Sequence, residues 1–312
     1  MKKLSAEQYA EKYMDSPLGA INEAEAGDYP LPRRRAVSHK YSYGRALVIA
    51  GSRGFAGAPV LAANAAERAG AGLTRLMVPE GIYLAAAMRC DGAVVTPLAE
   101  NAAGCIAPQA VPAVLEALER ANACVIGPGL GTGEDSRALV KAVLAAACCP
   151  LVLDADALTL CGAEPELLKA CRAPLLLTPH TGEFRRLGGD VGRGRLPGAL
   201  DFSAAHPETI LILKGYGTLI CRGGEAVVNP TGGPAMAKGG SGDVLCGILC
   251  ALLAQGFEPW FAARAAVWLH GRAGDLAAQE LGEYSLAPSD LIGYLPRAFL
   301  ELGRETMYGE RE

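Results

Sequence analysis

The sequence predicts an α/β protein in which helices cover both faces of a mostly parallel central sheet. Short apolar segments alternate along the chain with alanine-rich segments. Strands that alternate with helices of about 10–15 residues are typical of such a sheet. Hydrophobic residues make up 51% of the 312 residues and charged residues 20%, which is enough apolar material for a large core. Glycines are frequent where several of the predicted strands end.

The predicted elements begin near residue 46. Strands are predicted at 46–51, 73–79, 123–129, 150–156, 174–180 and 209–215, a hairpin around Gly223-Gly224 at 217–230, and helices at 58–71, 111–121, 137–147, 243–255 and 259–281. Residues 1–40 are polar and are predicted to form an N-terminal extension with one short helix. Residues 41–312 have no linker composition and are predicted to form a single domain.

Composition excludes several classes of protein. The 29 Lys and Arg against 33 Asp and Glu give a net charge of -4, which is not typical of a nucleic-acid binder. No apolar stretch approaches the ~20 residues that a membrane span needs, and the N-terminus lacks the apolar segment of a secretory signal. The cysteines, among them Cys124, Cys148, Cys149, Cys246 and Cys250, lie in apolar segments without a CxxC pair. They are predicted to be buried, reduced thiols of a cytoplasmic protein.

Glycine, aspartate, histidine, lysine and threonine cluster where the predicted strands end. The segments are GSRGFAGA (51–58), GPGLGTGE (127–134), DADAL (154–158), TPHTGEF (178–184) and LKGYGT (213–218). Ligands of open α/β sheets bind beyond the carboxyl ends of the strands. A turn needs glycine anyway, but a series of such turns in register with the strand ends indicates one shared site.

The strongest local signal is AKGGSGD (237–243), which opens the apolar helix predicted from Asp243. A glycine-rich loop at a helix start presents unpaired backbone N–H groups and the positive end of the helix dipole, so it predicts an anion site. An ordinary N-cap aspartate is the alternative for Asp243. Neither a GxxxxGK[ST] loop nor a GxGxxG fingerprint occurs in the sequence.

Taken in this order, GSRGFAGA, GPGLG, DADAL, TPHTGEF, LKGYGT and GGSGDVLCGIL resemble the NAD(P)H-hydrate dehydratase family of the ribokinase-like superfamily. The resemblance covers roughly residues 30–300. It implies a ribokinase-like fold and an enzyme that repairs NADH or NADPH hydrated at C6 of the nicotinamide ring. ADP or ATP would phosphorylate the hydroxyl of the S-epimer, phosphate would be eliminated, and Mg²⁺ would assist.

The resemblance also implies roles for individual residues. Asp243 would be the general base. Substrate binding would involve Ala58, Gly129, His180 and Asp243. Nucleotide binding would involve Lys214, Gly215, Tyr216, Gly217, Thr218, Gly239, Gly240, Ser241 and Gly242. Glu183 would be a metal ligand, and a homotetramer is implied. Because few residues precede the first predicted strand, a separate chain is expected to supply the NAD(P)H-hydrate epimerase that many members carry as a second domain.

For several residues the sequence leaves two interpretations open. Asp154 and Asp156 are structural caps or magnesium ligands, and Glu183 bonds the loop or holds metal through water. Lys238 stands where the family more often has threonine, and it either adds charge near the phosphates or points to solvent.

The other histidines and one lysine are also open to ordinary interpretations. Lys214 can snorkel from the end of its strand, and His180 can be incidental. His39, His206 and His270 are predicted to be surface or packing residues.

Two other functions stay open. A sugar or vitamin-precursor kinase can share the fold, although such kinases usually carry a GAGD-type loop instead of GGSGD. A non-catalytic nucleotide-binding protein is the second alternative. Asp243 argues against it, because pure binding does not need a carboxylate beside a phosphate.

Overall fold

A sheet of eleven strands forms the centre of the computed structural model, which describes residues 1–15 and 21–308. The strands are β1 (Lys2–Leu4), β2 (Ile21–Glu23), β3 (Arg45–Ile49), β4 (Leu73–Pro79), β5 (Val94–Leu98), β6 (Ala123–Ile126), β7 (Leu151–Leu153), β8 (Leu175–Leu177), β9 (Thr209–Leu213), β10 (Thr218–Arg222) and β11 (Glu225–Asn229). Their order across the sheet is β1-β2-β11-β10-β9-β8-β7-β6-β3-β4-β5.

Most of the sheet is parallel, as predicted. Seven consecutive strands, from β9 through β8, β7, β6, β3 and β4 to β5, pair in parallel. Strands β10 and β11 form the predicted hairpin with Arg222 opposite Glu225. Gly223 and Gly224 connect them at φ 57° and φ 84°, a left-handed conformation that favours glycine in two-residue hairpin turns.

Helices cover both faces of the sheet, which confirms the predicted fold class. They are α1 (Ala6–Tyr13), α2 (Gly57–Arg68), α3 (Glu80–Ala87), α4 (Val111–Glu119), α5 (Glu134–Ala146), α6 (Asp156–Ala163), α7 (Thr181–Arg186), α8 (Arg195–Ala205), α9 (Ser241–Ala254), α10 (Pro259–Leu281) and α11 (Pro288–Tyr308). Buried residues of α2, α9, α10 and α11 form the core on one face, and those of α4 to α8 form the core on the other.

Alternation along β3 illustrates how one strand serves both cores. Val48 packs in the core with α9, whereas Leu47 and Ile49 pack in the core on the opposite face. Successive side chains of a strand point to opposite faces, so a strand buried on both sides reads as a continuous apolar run. The apolar run in this part of the sequence follows from that double burial.

The abundance of small residues allows α2 and α9 to approach closely. A Cβ atom at Gly247 of α9 would lie 2.2 Å from the carbonyl oxygen of Ala62 and 2.7 Å from the Cβ of Ala65 in α2. No side chain larger than hydrogen fits at that contact. The close packing matters for function because α9 begins at the AKGGSGD segment.

The described part of the N-terminal segment contains the short helix α1, as predicted, and a 3-10 turn at Ala26–Asp28. Strands β1, β2 and β5 and helices α3, α6, α7, α8 and α11 were not predicted. Strands β1 and β2 have three residues each, and this is too short for an alternating pattern to be recognised in the sequence. β2 pairs in parallel with β11, and β1 pairs antiparallel with β2, so both strands extend the central sheet. No helix within residues 1–15 and 21–308 combines the length and apolar character that crossing a membrane requires.

All ten cysteines are free, but they are not all buried. Cys148 is exposed, because it lies in the turn after α5, and the prediction that it is buried is wrong. Cys90, Cys105 and Cys171 are half-buried.

A thiol titration tests the free state of the cysteines. Under denaturing, non-reducing conditions we expect the ten thiols to react. In the folded protein Cys148 should react first, because a thiol reacts as its thiolate and must be accessible to the reagent. A buried thiol such as Cys161 should react later, because burial raises its pKa to about 12. If two, four or more thiols in even number fail to react, they form disulfides, and this would contradict the prediction that the cysteines are reduced.

Candidate functional site

The carboxyl ends of β7, β8 and β9 lie side by side in the sheet and bring three of the predicted segments together. Asp154 follows β7, Thr178 and His180 follow β8, and Lys214 follows β9. His180 and Lys214 form an isolated parallel bridge, so the two chain segments remain paired beyond the strands themselves. The parallel strand order therefore assembles residues that lie far apart in the sequence.

An ion pair between Lys214 and Asp154 lies at the centre of this cluster. Lys214 Nζ donates to Asp154 Oδ1 at 2.7 Å, and Thr178 Oγ1 donates to the same oxygen at 2.7 Å. The side chain of Asp154 is 3% exposed and that of Lys214 is 22% exposed. Lys214 therefore does not snorkel to bulk solvent, and its ammonium is held at the floor of the site.

The pair stabilises both of its charges. Burial alone would raise the pKa of Asp154, but the charge of Lys214 and its hydrogen bond outweigh burial and hold that pKa below its usual value. Burial alone would lower the pKa of Lys214, but the charge and hydrogen bond of Asp154, together with Cys246 and Glu183, outweigh burial and raise that pKa. Both groups are therefore charged at neutral pH.

Asp156, the second aspartate of DADAL, has a structural role. Its Oδ2 accepts a hydrogen bond from the backbone N–H of Gly131 at 2.8 Å, which ties the start of α6 to the loop after β6. Ala155, between the two aspartates, has φ 48°, a conformation that is uncommon for a residue with a Cβ. This backbone turn directs the two carboxylates to different partners.

The AKGGSGD segment forms the start of α9 as predicted. Gly240 has φ 104°, and a Cβ there would lie 2.8 Å from Leu61 Cδ1 of α2, so glycine is needed both for the turn and for the contact. Ser241 Oγ donates to the carbonyl of Met236 at 2.8 Å. The Ser241 side chain therefore braces the loop from within.

Unpaired backbone donors surround this turn. Within the described residues, nothing accepts a hydrogen bond from the backbone N–H of Gly239, Gly240, Gly242 or Asp243. The first N–H groups of an α-helix lack partners within the helix, and the helix dipole adds positive potential there. The start of α9 thus has the donors that an anion requires.

Asp243 lies in the first turn of α9. Its pKa is raised to about 7, mainly by burial and also by the negative charge of Asp154, while the positive charge of Lys214 opposes the increase. A carboxyl group with a pKa near 7 can take up and release a proton at neutral pH. An exposed N-cap aspartate would not have such a pKa.

Gly242 connects the anion loop (residues 237–243) to the ion pair of Lys214 and Asp154. A Cβ at this position would lie 3.2 Å from Lys214 Nζ and 3.8 Å from Asp154 Oδ2. The α-carbon of Gly242 therefore faces the charged floor of the site across a gap that a side chain would fill.

Replacing Gly242 should weaken the binding of ADP. We expect the Kd to rise about tenfold for Gly242→Ala and further for Gly242→Val, because even small displacements of positioning groups are costly. Gly293→Val is the matched control, because a Cβ at Gly293 of α11 meets nothing within 4 Å. Calorimetry with ADP measures both, and unchanged affinity in the Gly242 variants would remove this loop from the site.

His180 and Glu183 cap the short helix α7. His180 Nδ1 accepts from the backbone N–H of Gly182 at 2.9 Å, and Glu183 Oε2 accepts from the backbone N–H of His180 at 2.8 Å. The His180 side chain is 55% exposed, so its ring remains accessible to a ligand. Glu183 Oε2 lies 4.0 Å from Lys214 Nζ.

Metal ligands are sparse at this site. Within residues 1–15 and 21–308, no group of three or more His, Cys, Asp or Glu side chains is arranged to hold a metal ion. Asp154 is paired with Lys214, and Glu183 caps α7. The described residues do not form a protein cage for Mg²⁺, and the metal role of Glu183 stays a prediction.

The LKGYGT segment connects β9 to β10 and runs from the ion pair towards α1 and α8. Lys214 and Thr218 lie at its two ends, and Thr218 Oγ1 donates to the carbonyl of Gly215 at 3.0 Å. The Tyr216 side chain is exposed. The predicted nucleotide residues of this segment therefore form one side of the site.

The predicted residues Ala58 and Gly129 lie on the other side. Ser52 Oγ donates to the carbonyl of Gly129 at 2.8 Å, which joins the loops after β3 and β6. Leu61, one helical turn after Ala58 in α2, is the side chain that contacts Gly240. Ala58 therefore lies near the start of α9.

Two other predictions change with the structure. Lys238 neither faces the anion loop nor points freely to solvent, because its Nζ donates to the carbonyls of Tyr284 at 2.7 Å and Leu286 at 2.5 Å. His270 of α10 is more than a packing residue, because its Nε2 lies 2.9 Å from the carbonyl oxygen of Ser241. Burial lowers the pKa of His270 to about 4, so the neutral ring donates to this carbonyl and supports the loop.

Sequence reasoning also missed Asp275 and Arg195. Asp275 of α10 accepts from the backbone N–H of Gly232 at 3.1 Å, in the segment that leads to the anion loop. Arg195 of α8 donates to backbone carbonyls around the LKGYGT segment. Asp275 belongs to no glycine-rich turn, and the glycine-rich segment GGDVGRG (188–194) before Arg195 does not follow a predicted strand.

The chain is similar to known proteins over most of its length. Residues 46–297 match the family model described as NAD(P)H-hydrate dehydratase. The chain is 40% identical over 279 residues to the bifunctional NAD(P)H-hydrate repair enzyme of Moorella thermoacetica, covering 88% of this chain and 53% of that protein. A similar enzyme of Thermofilum pendens is 39% identical and is also covered to 53%. The chain thus spans about half the length of the curated relatives it matches.

Solved structures give the same result. The ADP/ATP-dependent NAD(P)H-hydrate dehydratase of Bacillus subtilis, co-crystallised with ATP and Mg²⁺, superimposes with a TM-score of 0.77 at 32% identity, covering 90% of this chain and 99% of that one. A ribokinase-like superfamily protein of Enterococcus faecalis superimposes with a TM-score of 0.80 at 27% identity, covering 91% and 97%. The family model extends over most of the sheet and every strand end of the site, and the chain therefore belongs to the NAD(P)H-hydrate dehydratase family.

Proposed function

We propose that this chain dehydrates the S-epimer of hydrated NADH or NADPH, with ADP or ATP as phosphoryl donor. The observation that carries the proposal is a half-buried carboxyl group, Asp243, at the start of a helix whose first backbone N–H groups have no acceptor among the described residues. Burial raises the pKa of this carboxyl group to about 7. The ion pair of Lys214 and Asp154 lies directly beside it. The site therefore combines a proton acceptor with donors for a phosphate group.

The hydroxyl at C6 is a poor leaving group, and phosphorylation converts it into a good one. Asp243 takes the hydroxyl proton as the oxygen attacks the terminal phosphorus of the nucleotide. The bond between that phosphorus and the bridging oxygen breaks, so ADP leaves as AMP, or ATP leaves as ADP. Loss of phosphate and of a ring proton then restores the dihydronicotinamide double bond.

Charge stabilisation comes from groups that are already in place. Phosphoryl transfer depends mainly on positioning and on neutralising the charge of the transferred group. The backbone N–H groups of Gly239, Gly240 and Gly242 lie at the positive end of α9, and no described residue accepts from them. The ammonium of Lys214 lies beneath Gly242. These groups need no rearrangement during the reaction.

The two ligands occupy adjoining parts of the site around Asp243 in this proposal. The nucleotide lies along Lys214 to Thr218, and the hydrated dinucleotide lies along Ala58, Gly129 and His180. The exposed ring of His180 and the helix start at Ala58 support that arrangement. The acceptor hydroxyl and the terminal phosphate then meet at the start of α9.

Mg²⁺ enters the proposal as part of the nucleotide. It is commonly bound through phosphate oxygens and waters with few protein carboxylates, which is compatible with a site whose described residues form no metal cage. When bound, the ion supplies further charge neutralisation at the phosphates.

The setting of the enzyme is also proposed. We place it in the cytoplasm, which its ten free thiols favour. An NAD(P)H-hydrate epimerase would supply the S-epimer. A homotetramer is proposed on the family resemblance alone, and light scattering of the purified protein tests it.

A repair assay tests the function directly. Hydrated NADH or NADPH is incubated with the protein and ADP, or in parallel with ATP, and recovery of the dihydronicotinamide absorbance is followed. We expect absorbance to return only when protein and nucleotide are both present, with one phosphate released per dinucleotide. Phosphorylation of a sugar or a vitamin precursor without repair would instead indicate a small-molecule kinase. Nucleotide binding without either reaction would indicate a binding protein.

A further inference from the structure

Arg195, the first residue of α8, holds the backbone of the LKGYGT segment. Its Nη1 donates to the carbonyl of Tyr216 at 2.6 Å, and its Nη2 donates to the carbonyls of Leu213 at 3.1 Å and Gly217 at 3.3 Å. A Cβ at Gly215 would lie 2.9 Å from Nη2, so the guanidinium lies directly against the segment. One rigid side chain thus connects both ends of the loop after β9.

The N-terminal segment packs against the same loop. A Cβ at Gly217 would lie 2.3 Å from the ring of Tyr13 in α1, and the rings of Tyr13 and Tyr216 are 5.7 Å apart. Tyr13 is itself anchored, because its hydroxyl donates to Glu23 at 2.5 Å. Tyr13 therefore limits the movement of the loop on the side of α1.

Asp15 connects this N-terminal segment to Arg195. Its Oδ1 accepts from the backbone N–H of Arg195 at 2.8 Å, and its Oδ2 accepts from the backbone N–H of Leu196 at 2.9 Å. Tyr9 of α1 donates its hydroxyl to the same Asp15 oxygen at 2.8 Å. The carboxylate caps the start of α8 and thereby fixes the backbone from which Arg195 extends.

We propose that Arg195 and the N-terminal residues Tyr13 and Asp15 are positioning residues for the nucleotide. They hold the loop from Lys214 to Thr218 in the shape that binds it. The inference rests on the proposed function, because it assigns the nucleotide to this loop. It also gives the N-terminal extension a specific role in ligand affinity.

The geometry explains why the carbonyl contacts matter. In a planar trans peptide, the C=O group and the following N–H group point in opposite directions. Binding of the Tyr216 carbonyl to Arg195 therefore turns the N–H of Gly217 away from α8. Without the guanidinium the glycine-rich loop has many accessible conformations, and nucleotide binding would have to order it.

Nucleotide affinity of paired variants tests the proposal. Because nucleotide binding would then have to order the loop, we expect the Kd of ADP to rise about ten- to a hundredfold in Arg195→Met and in Tyr13→Ala. Arg195→Lys keeps the charge but replaces the planar fork of two Nη groups with a single nitrogen, and it should fall between wild type and Arg195→Met. Arg193→Met is the matched control, because the exposed Arg193 pairs with Asp201 at the surface.

The readouts separate positioning from general loosening of the fold. We expect kcat at saturating nucleotide and KM for the hydrated dinucleotide to stay within about twofold of wild type in every variant. A parallel loss of affinity for both ligands would overturn the proposal, as would unchanged ADP affinity in Arg195→Met and Tyr13→Ala. If Arg195→Met does not fold, Tyr13→Ala decides by the same criteria. Wild-type protein that binds neither ADP nor ATP would overturn the proposed function as well.

Discussion

Replacing Asp243 with asparagine should lower kcat by ~10²–10⁴, the usual effect of removing a general base, while the Kd of ADP changes by less than about twofold. The backbone donors at the start of α9 remain in the variant, so the anion site persists. Repair of hydrated NADH measures kcat, and calorimetry measures Kd. Activity within about threefold of wild type would rule out Asp243 as the base.

Asp290→Asn is the matched control for this experiment. Asp290 is the third residue of α11, as Asp243 is of α9, and its Oδ2 accepts from the backbone N–H of Ala287 at 2.7 Å. Asparagine is about as good a cap as aspartate, so this variant should keep its activity within about twofold. A capping role for Asp243 would make the two variants behave alike.

The pKa of Asp243 also predicts how activity and stability depend on pH. Because the carboxylate is the active form, kcat should rise with pH through a pKa of about 7, and this limb should vanish in Asp243→Asn. A raised pKa in the folded protein means that folding loses stability as pH rises towards 7. Asp243→Asn should therefore be more stable than wild type above pH 7 by about 1–3 kcal/mol, with little difference at acidic pH where Asp243 is protonated.

Replacing Lys214 with methionine should destabilise the protein by about 3–5 kcal/mol at neutral pH, because it leaves the buried carboxylate of Asp154 without its cation. Lys169→Met is the matched control, since Lys169 forms an exposed pair with Glu166, and exposed pairs contribute only about 0–1 kcal/mol. Chemical denaturation measures both variants. Equal effects of the two substitutions would contradict a buried pair.

A double variant shows whether the loss of stability in Lys214→Met arises from the ion pair with Asp154. Asp154→Asn removes the charge that Lys214→Met leaves unpaired, so the double variant should be more stable than the sum of the single effects predicts. Lys214 also lowers the pKa of Asp243, and its removal should shift the pH dependence of any remaining activity to higher pH. Additive effects and an unshifted pH profile would argue against a direct connection.

The sequence was sufficient for most of the parallel strands and for helices α2, α4, α5, α9 and α10, but not for β5 or for α3, α6, α7, α8 and α11. Apolar segments such as 123–126 and 209–213 are buried on both faces, so periodicity and glycine-rich turns mark them locally. It could not predict β1 and β2, whose three residues each carry too little pattern. These strands form because β11 would otherwise be an edge strand, and its backbone groups pair with those of β2.

Parts of the candidate site could be predicted from the sequence, and other parts depend on the tertiary structure. The anion loop and Asp243 were predictable because a helix start and its glycines are local features. Only the tertiary structure decided that Lys214 pairs with Asp154, which lies 60 positions away, because that contact depends on β7, β8 and β9 lying side by side. The carbonyl contacts of Arg195 and Lys238 were likewise decided by packing, because a long cationic side chain can bind any backbone oxygen that the fold brings within reach.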